Sequence, residues 1–300
     1  MNMHKQSTPF FIVGSQRSGT TMLRLMLNNH SKLSVPFESG FIPDFYRDLE
    51  RYGDLRQRRN VEGLLAAIRQ HPFVVKGNLI PDPGAVLARN PTTYAQLVDA
   101  IFGELALRRD KVRWGDKTPS YVEDIDVLWS LFPGCRVVHL VRDGRDVASS
   151  LRSLSWGSRD LIKLARDWRW KVMLARKMGE MIPGNYMELH YESLVSEPVA
   201  SLRRVCGFIG EPFEAGMLQY HENAKGEMPA TSMRWHQSSV REPDQRKIQS
   251  WRTAMNKADR IVFENVAGDA LTMFGYELST TRQTLGSRVK FARYALFGHA

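Results

Sequence analysis

The stretch Phe10 to Leu27, FFIVGSQRSGTTMLRLML, constrains the fold more than any other part of the chain. Phe10–Val13 reads as a buried strand because it is apolar throughout and ends at a turn signal. Gly14 and Gly19 bracket a polar turn, and an apolar helical pattern follows. A strand that feeds a helix through such a turn is the opening unit of a parallel α/β sheet. The same turn presents free backbone N–H groups and the positive end of a helix dipole, which together bind anions. Arg17, Ser18, Thr20 and Thr21 add side-chain donors, and charge-assisted bonds from Arg to phosphate are the strong ones.

The rest of the chain repeats the strand–helix alternation. Val112–Gly115, Arg136–Val141 and Tyr186–His190 read as further buried strands. Helical patterns cover Tyr94–Arg109 after Asn90-Pro91-Thr92, Arg159–Met181, Pro198–Ile209 after Ser196-Glu197, and Lys257–Phe274. The charge-rich Arg47–Arg59 reads as the solvated face of a helical insertion. The fold class expected is α/β, an open and mostly parallel sheet covered on both faces. No repeat or low-complexity linker divides the chain, so one domain is expected over 1–300, with its core at about 9–277 and a basic tail at 278–300. Residues 220–250 lack periodicity, and a loop that long inside a compact domain is functional or mobile.

Lys and Arg number 42 against 32 Asp and Glu, a net charge of +10, so the surface favours anionic ligands. Cys135 and Cys206 stand far apart in apolar contexts and read as two free thiols of a reducing compartment. No run approaches the roughly 18 apolar residues of a membrane span, and MNMHKQSTP lacks the apolar core of a signal peptide. A cytoplasmic protein is expected. The eight histidines show no metal-ligand spacing, no metal is expected, and His139 reads as a core residue. RVKFARYALFGH, in the tail, could form a short basic amphipathic helix in weak peripheral contact with an anionic membrane.

A P-loop kinase places a Lys on the terminal phosphates and a Ser/Thr on magnesium. Here Thr20-Thr21 ends the loop and that lysine is absent. The later strand leads with Arg142 before Asp143. A terminal phosphoryl group carries about two negative charges and a sulfuryl group about one, so arginines without a metal suit the second. GSQRSGTTML resembles the 5′-phosphosulfate loop of sulfotransferases that use 3′-phosphoadenosine 5′-phosphosulfate (PAPS). The branch with Arg-Ser-Gly-Thr-Thr includes tyrosylprotein sulfotransferases and many bacterial enzymes. The resemblance implies a P-loop-like three-layer αβα sandwich, with Arg17, Ser18, Gly19, Thr20 and Thr21 on the phosphosulfate.

Further segments extend the resemblance from about Phe10 to Glu277. In the family, the Arg opening Arg-Asp-Gly-Arg and a Ser eight residues later hold the 3′-phosphate; Arg142 and Ser150 have that spacing. Arg142 also falls at the carboxyl end of a strand, where open α/β sheets bind ligands. Arg145 reads as the partner of Asp143 or Asp146. Glu38 follows the loop Arg by 21 positions, as does the base of the tyrosylprotein sulfotransferases, and its apolar flanks favour a desolvated carboxylate. Lys117, in RWGDKTPSY, matches a family lysine at the transferring sulfonate or bridge oxygen, a role that Arg17 would share. Tyr191 resembles a tyrosine near the adenosine, and Trp251 one that closes over the nucleotide. Ser238 or Ser239 corresponds to a sulfonate-contacting serine. The chain has Leu154 where some relatives have a further basic residue, with Arg152 the nearest substitute.

These features point to a sulfotransferase that moves a sulfuryl group to an acceptor hydroxyl on a saccharide, a peptide or another small molecule. Two other readings compete: a small-molecule kinase with an atypical loop, and a basic nucleic-acid-binding protein. The kinase would need magnesium and ATP. The basic residues lack the interleaved aromatics of a nucleic-acid module, so no nucleic-acid partner is expected.

Overall fold

The computed structural model describes residues 8–224, 226–233 and 235–279. The expectations for the N-terminal seven residues and for the basic tail beyond 279 lie outside the described residues.

Five parallel strands build one sheet. They are β1 (Phe10–Gly14), β2 (Leu33–Ser34), β3 (Arg113–Lys117), β4 (Arg136–Val141) and β5 (Tyr186–His190), in the order β2-β3-β1-β4-β5. In the central pair, Phe10 to Gly14 run in register with Arg136 to Leu140. Three strands stand where the apolar runs place them, whereas β3 is displaced toward its carboxyl end. Val112 is 72% exposed, while Asp116 and Lys117 are fully buried and pair with Phe11 and Ile12. Two charged residues inside a strand read as loop in the sequence, which is why the edge was set too early. β2 is only two residues long and carries no periodicity to detect.

Six helices cover this sheet: α1 (Thr20–Asn28), α2 (Tyr94–Leu107), α3 (Gly144–Arg152), α4 (Leu161–Glu180), α5 (Pro198–Ile209) and α6 (Lys257–Met273). Their starts follow from the sequence. Thr93, Asp160 and Asn256 each accept a backbone N–H of the first turn, and Pro198 opens α5. Shorter helices fill the insertion between β2 and β3. Among them, Arg58–Arg69 buries Val61, Leu64, Leu65 and Ile68 at helical spacing beneath its charged face.

Alternation along β1 separates two cores. Phe11 and Val13 pack with Trp114, Val137 and the apolar face of α2. Phe10 and Ile12 pack with Val138, Leu140, α1 and α5 on the other side. A third cluster joins α3, α4 and α6 around Trp168 and Phe263. Fully burying each Phe of β1 contributes about 1.5–3 kcal/mol. His139 sits in this interior, its Nδ1 2.6 Å from Tyr186 Oη, and burial pushes the ring down to about 4. Among the described residues no helix is long and apolar enough to cross a membrane.

Cys135 and Cys206 are free and buried, and burial pushes their thiols up to about 12 and about 11. Because the thiolate is the nucleophile, a disulfide reagent such as Ellman's should label neither cysteine in the native protein and both in guanidinium chloride. Rapid native labelling of either would contradict this packing.

Candidate active site

Parallel strands end along one edge, and each of the five delivers a candidate residue there. Arg17 follows β1, Glu38 follows β2, Lys117 ends β3, Arg142 follows β4 and Tyr191 follows β5. A cavity of about 600 Å³ opens at this edge, and Arg17, Gly19, Thr20, Thr21, Glu38, Arg142, Ser150 and Tyr191 line it.

The loop between β1 and α1 owes its shape to close approach. A Cβ on Gly14 would stand 2.5 Å from Leu140 O, and one on Gly19 would stand 2.4 Å from the Tyr191 ring; Gly19 also has φ 97°. Arg17 is left-handed at φ 69°, a conformation that costs a non-glycine residue on the order of 1–3 kcal/mol. Ser18 lies behind the loop, donating from Oγ to Ser15 O at 2.6 Å. No side chain caps α1; Met22 N donates to Gly19 O at 3.0 Å, and the N–H groups of the cavity-lining Thr20 and Thr21 stay open.

Arg17 links this loop to its surroundings. Its Nε donates to Ser150 Oγ at 3.1 Å and its guanidinium donates to Trp235 O at 2.8 Å. Arg142 in turn donates to Arg17 O at 3.1 Å and Lys247 O at 2.8 Å, and lies 4.3 Å from the centre of the Tyr191 ring. Its Nε is buried without a hydrogen-bond partner, and its guanidinium lies 3.9 Å from the Asp146 carboxylate. Burial and the Arg142 charge both lower the Arg17 pKa. Two arginines and Ser150 therefore form one cluster at which an anion would be favoured.

Across the cavity, Lys117 Nζ meets Glu38 Oε1 at 2.5 Å and Thr21 Oγ1 at 3.3 Å. Lys117 is fully buried, and desolvation lowers its pKa against the pull of Glu38. Glu38 is thus paired, rather than isolated among apolar neighbours as its flanking residues imply.

Other expected residues fall outside the lining. Trp251 is buried behind the cavity with Arg145 3.7 Å from its ring centre, while its neighbour Ser250 reaches the lining. Arg145 pairs with Asp143 at 2.8 Å and with Glu264 at 2.7 Å. Arg152 is paired with Asp259 at 3.0 Å and is not among the residues that line the cavity. Ser238 and Ser239 both line the cavity.

Sequence reasoning missed several lining residues. His236 and Trp235 come from the segment without periodicity, Trp156 from the turn after α3, and Phe73 and Lys76 from the short helix Pro72–Gly77. Trp156 and Trp235 meet edge to face, with centroids 6.2 Å apart. Asp146 was read only as a possible partner of Arg145; it accepts from Ser250 Oγ at 2.8 Å and Trp251 N at 2.7 Å, tying the 245–254 segment to α3. The length of the aperiodic segment was the one available signal for His236.

A model of the sulfotransferase family matches residues 9–215. The sulfotransferase domain from the Synechococcus PCC 7002 olefin synthase superposes with a TM-score of 0.63 at 23% identity, covering 92% of this chain and 98% of that one. The sulfotransferase domain from the curacin biosynthetic pathway gives 0.62 at 20% identity, covering 90% and 98%. These likenesses establish the P-loop-like αβα fold. Protein-tyrosine sulfotransferase A of Caenorhabditis elegans is 24% identical over 231 residues, 74% of this chain and 55% of its own. An uncharacterized protein of Aquifex aeolicus is 23% identical over 74% of this chain but 28% of its own length. The chain therefore spans between about a quarter and about half of these two curated relatives.

Burial and the nearby Lys117 and Arg17 push the His236 ring down to about 4. An anion in the cavity offsets those cations, so the midpoint should rise when one binds. NMR titration of the ring Cε1 proton should find a midpoint near 4 in the free protein and a higher one with saturating pyrophosphate. A free-protein midpoint at the ordinary histidine value would contradict the arrangement.

Proposed function

The chain belongs to the sulfotransferase family, and from that premise we propose that it moves a sulfuryl group from PAPS to an acceptor hydroxyl. The observation that carries the reading is the convergence of Arg17, Glu38, Arg142 and Tyr191, from four strand ends, on one cavity, with Lys117 of the fifth strand buried against Glu38 behind its wall. The donor set fits such a nucleotide. It combines an uncapped helix start, two adjoining arginines and a buried Arg142 Nε with no hydrogen-bond partner.

The loop N–H groups, Thr20, Thr21 and Arg17 would hold the 5′-phosphosulfate. Arg142 and Ser150 would hold the 3′-phosphate, with Tyr191 beneath the Arg142 guanidinium. When bound, PAPS supplies an activated sulfur whose bond to the bridge oxygen breaks as the acceptor oxygen bonds to it. Glu38 accepts the acceptor's proton. Lys117, with Arg17, places fixed positive charge where the leaving oxygen gains negative charge, and losing such a donor typically costs about 10²–10³ in rate. The acceptor lies on the Glu38 side of the cavity, where Phe73 packs beside Gly40 and offers aromatic surface. A hydroxyl on a saccharide, a peptide or another small molecule suits this side. The two buried free thiols suit a reducing compartment such as the cytoplasm.

Adenosine 3′,5′-bisphosphate with EDTA present should raise the melting temperature, and at 100 times its Kd it should add about 2.7 kcal/mol of stability. No shift at millimolar nucleotide would overturn the donor assignment. Arg142→Ala should weaken that binding by about 1.5–3 kcal/mol, roughly ten- to hundredfold. Glu38→Gln should bind nucleotide but lose transfer by about 10²–10⁴; normal transfer by this variant would move the base elsewhere.

A further inference from the structure

Glu38 and Lys117 lie 79 residues apart, and their meeting needs something to hold the two segments together. The residues next to them do so. Asp116 precedes Lys117 in β3, Ser39 follows Glu38, and Ser39 Oγ stands 2.5 Å from Asp116 Oδ2. Both are fully buried. A second bond repeats the link, as Ser39 N donates to Thr118 Oγ1 at 3.1 Å, and that hydroxyl lies 3.3 Å from Asp116 Oδ1.

The directions of these bonds are constrained. Ile42 N donates to Tyr121 Oη at 2.9 Å, and Tyr121 Oη lies 2.9 Å from Ser39 Oγ. A hydroxyl has one proton to give. If Tyr121 donates to Ser39, Ser39 and Thr118 both donate to Asp116, and each proton finds an acceptor. The two runs of donors end on one carboxyl group. That order is complete when Asp116 is ionised, because a protonated carboxyl brings one more donor and forces a hydroxyl to turn away.

We propose that Asp116 is the positioning residue of the transfer centre: through Ser39 it anchors the loop that carries Glu38, and so holds that carboxylate against Lys117. The assignment rests on the reading of Glu38 and Lys117 as the transfer pair. Asp116 itself reaches them through Ser39 and the backbone. The charged and titratable groups facing it are Lys117 on its own strand, Glu38 on the anchored loop and Tyr121 on the turn after β3. Burial raises the Asp116 pKa to about 7, against the hydrogen bonds from Ser39 and Thr118 and the attraction of Lys117.

Side-chain ¹H–¹⁵N spectra of the full chain test this without an acceptor, with the Lys117 signal identified by its loss in Lys117→Arg. In the wild-type protein at pH 8, the Nζ protons of Lys117 should exchange with water more slowly than those of exposed lysines. Ser39→Ala and Asp116→Asn should each speed exchange at pH 8 by at least about tenfold, as expected for local opening, and Ser39→Thr should restore the slow rate. If Asp116→Asn fails to fold, Ser39→Ala and Ser39→Thr carry the comparison. Calorimetry with adenosine 3′,5′-bisphosphate should give Ser39→Ala an affinity within about twofold of wild type, since Arg17, Arg142 and Ser150 are untouched. Equal Lys117 exchange in wild type, Ser39→Ala and Asp116→Asn would overturn the proposal. Failure of the wild-type protein to bind the nucleotide would instead overturn the sulfuryl-transfer reading, leaving the lysine signal to judge the anchor by itself.

Discussion

The site depends on the ion pair between Lys117 and Glu38, which sets one cavity carboxylate against several neighbouring cations. Lys117 and Arg24 are both fully buried, and both lie in the field of one cavity carboxylate, Glu38. Arg24 gives its protons to the carbonyls of Val35 and Glu227 and to Met228 Sδ, and desolvation lowers its pKa to about 10. Arg17 and Arg142 adjoin each other a few residues away. Removing an ion from water costs several kcal/mol even after relaxation, so such a cluster is tolerable where backbone dipoles offset part of the cost and an incoming anion offsets the rest. The left-handed Arg17 and the two glycine-dependent approaches belong to the same constraint, because they aim the loop at the place where that anion would lie.

The sheet converts this local requirement into a fold-wide one. Parallel strands put all five carboxyl ends on one edge, and β1 lies between the strands leading to each side. Its alternation feeds two buried faces, so a slip by one residue would swap Phe10 and Ile12 with Phe11 and Val13 between the two cores and misplace the loop. The cations are thus held by the same register that buries Phe10 and Phe11. Carbonyls of residues 235 and 247 receive Arg17 and Arg142, which ties the aperiodic segment to the loop as well.

Much of this was legible in the sequence. The strand–loop–helix unit is continuous, so β1, the anion loop and α1 could be read from local pattern alone, and Arg142 with Ser150 repeats that case on β4. Glu38 and Lys117 could be named from resemblance, but their contact could not, because it spans 79 residues and depends on a two-residue strand with no period. Asp116 was hidden by the rule that charged residues mark loops. Here two of them are interior strand residues, satisfied by Ser39 and Thr118 from elsewhere or by Glu38. Trp251 shows the opposite failure. A short degenerate segment suggested a residue over the nucleotide, whereas the indole packs against Arg145 and leaves Ser250 at the cavity. His236 had no local signal beyond the length of its segment, since its surroundings are assembled from Arg17, Arg24, Glu38 and Lys117.

The most direct test of the central claim is a crystal structure with adenosine 3′,5′-bisphosphate. The account predicts the 5′-phosphate on the loop from Arg17 to Thr21 and the 3′-phosphate on Arg142 and Ser150, with the space before Lys117 and Glu38 left for the sulfuryl group and its acceptor. A nucleotide bound in the reverse direction, or away from this cavity, would contradict it.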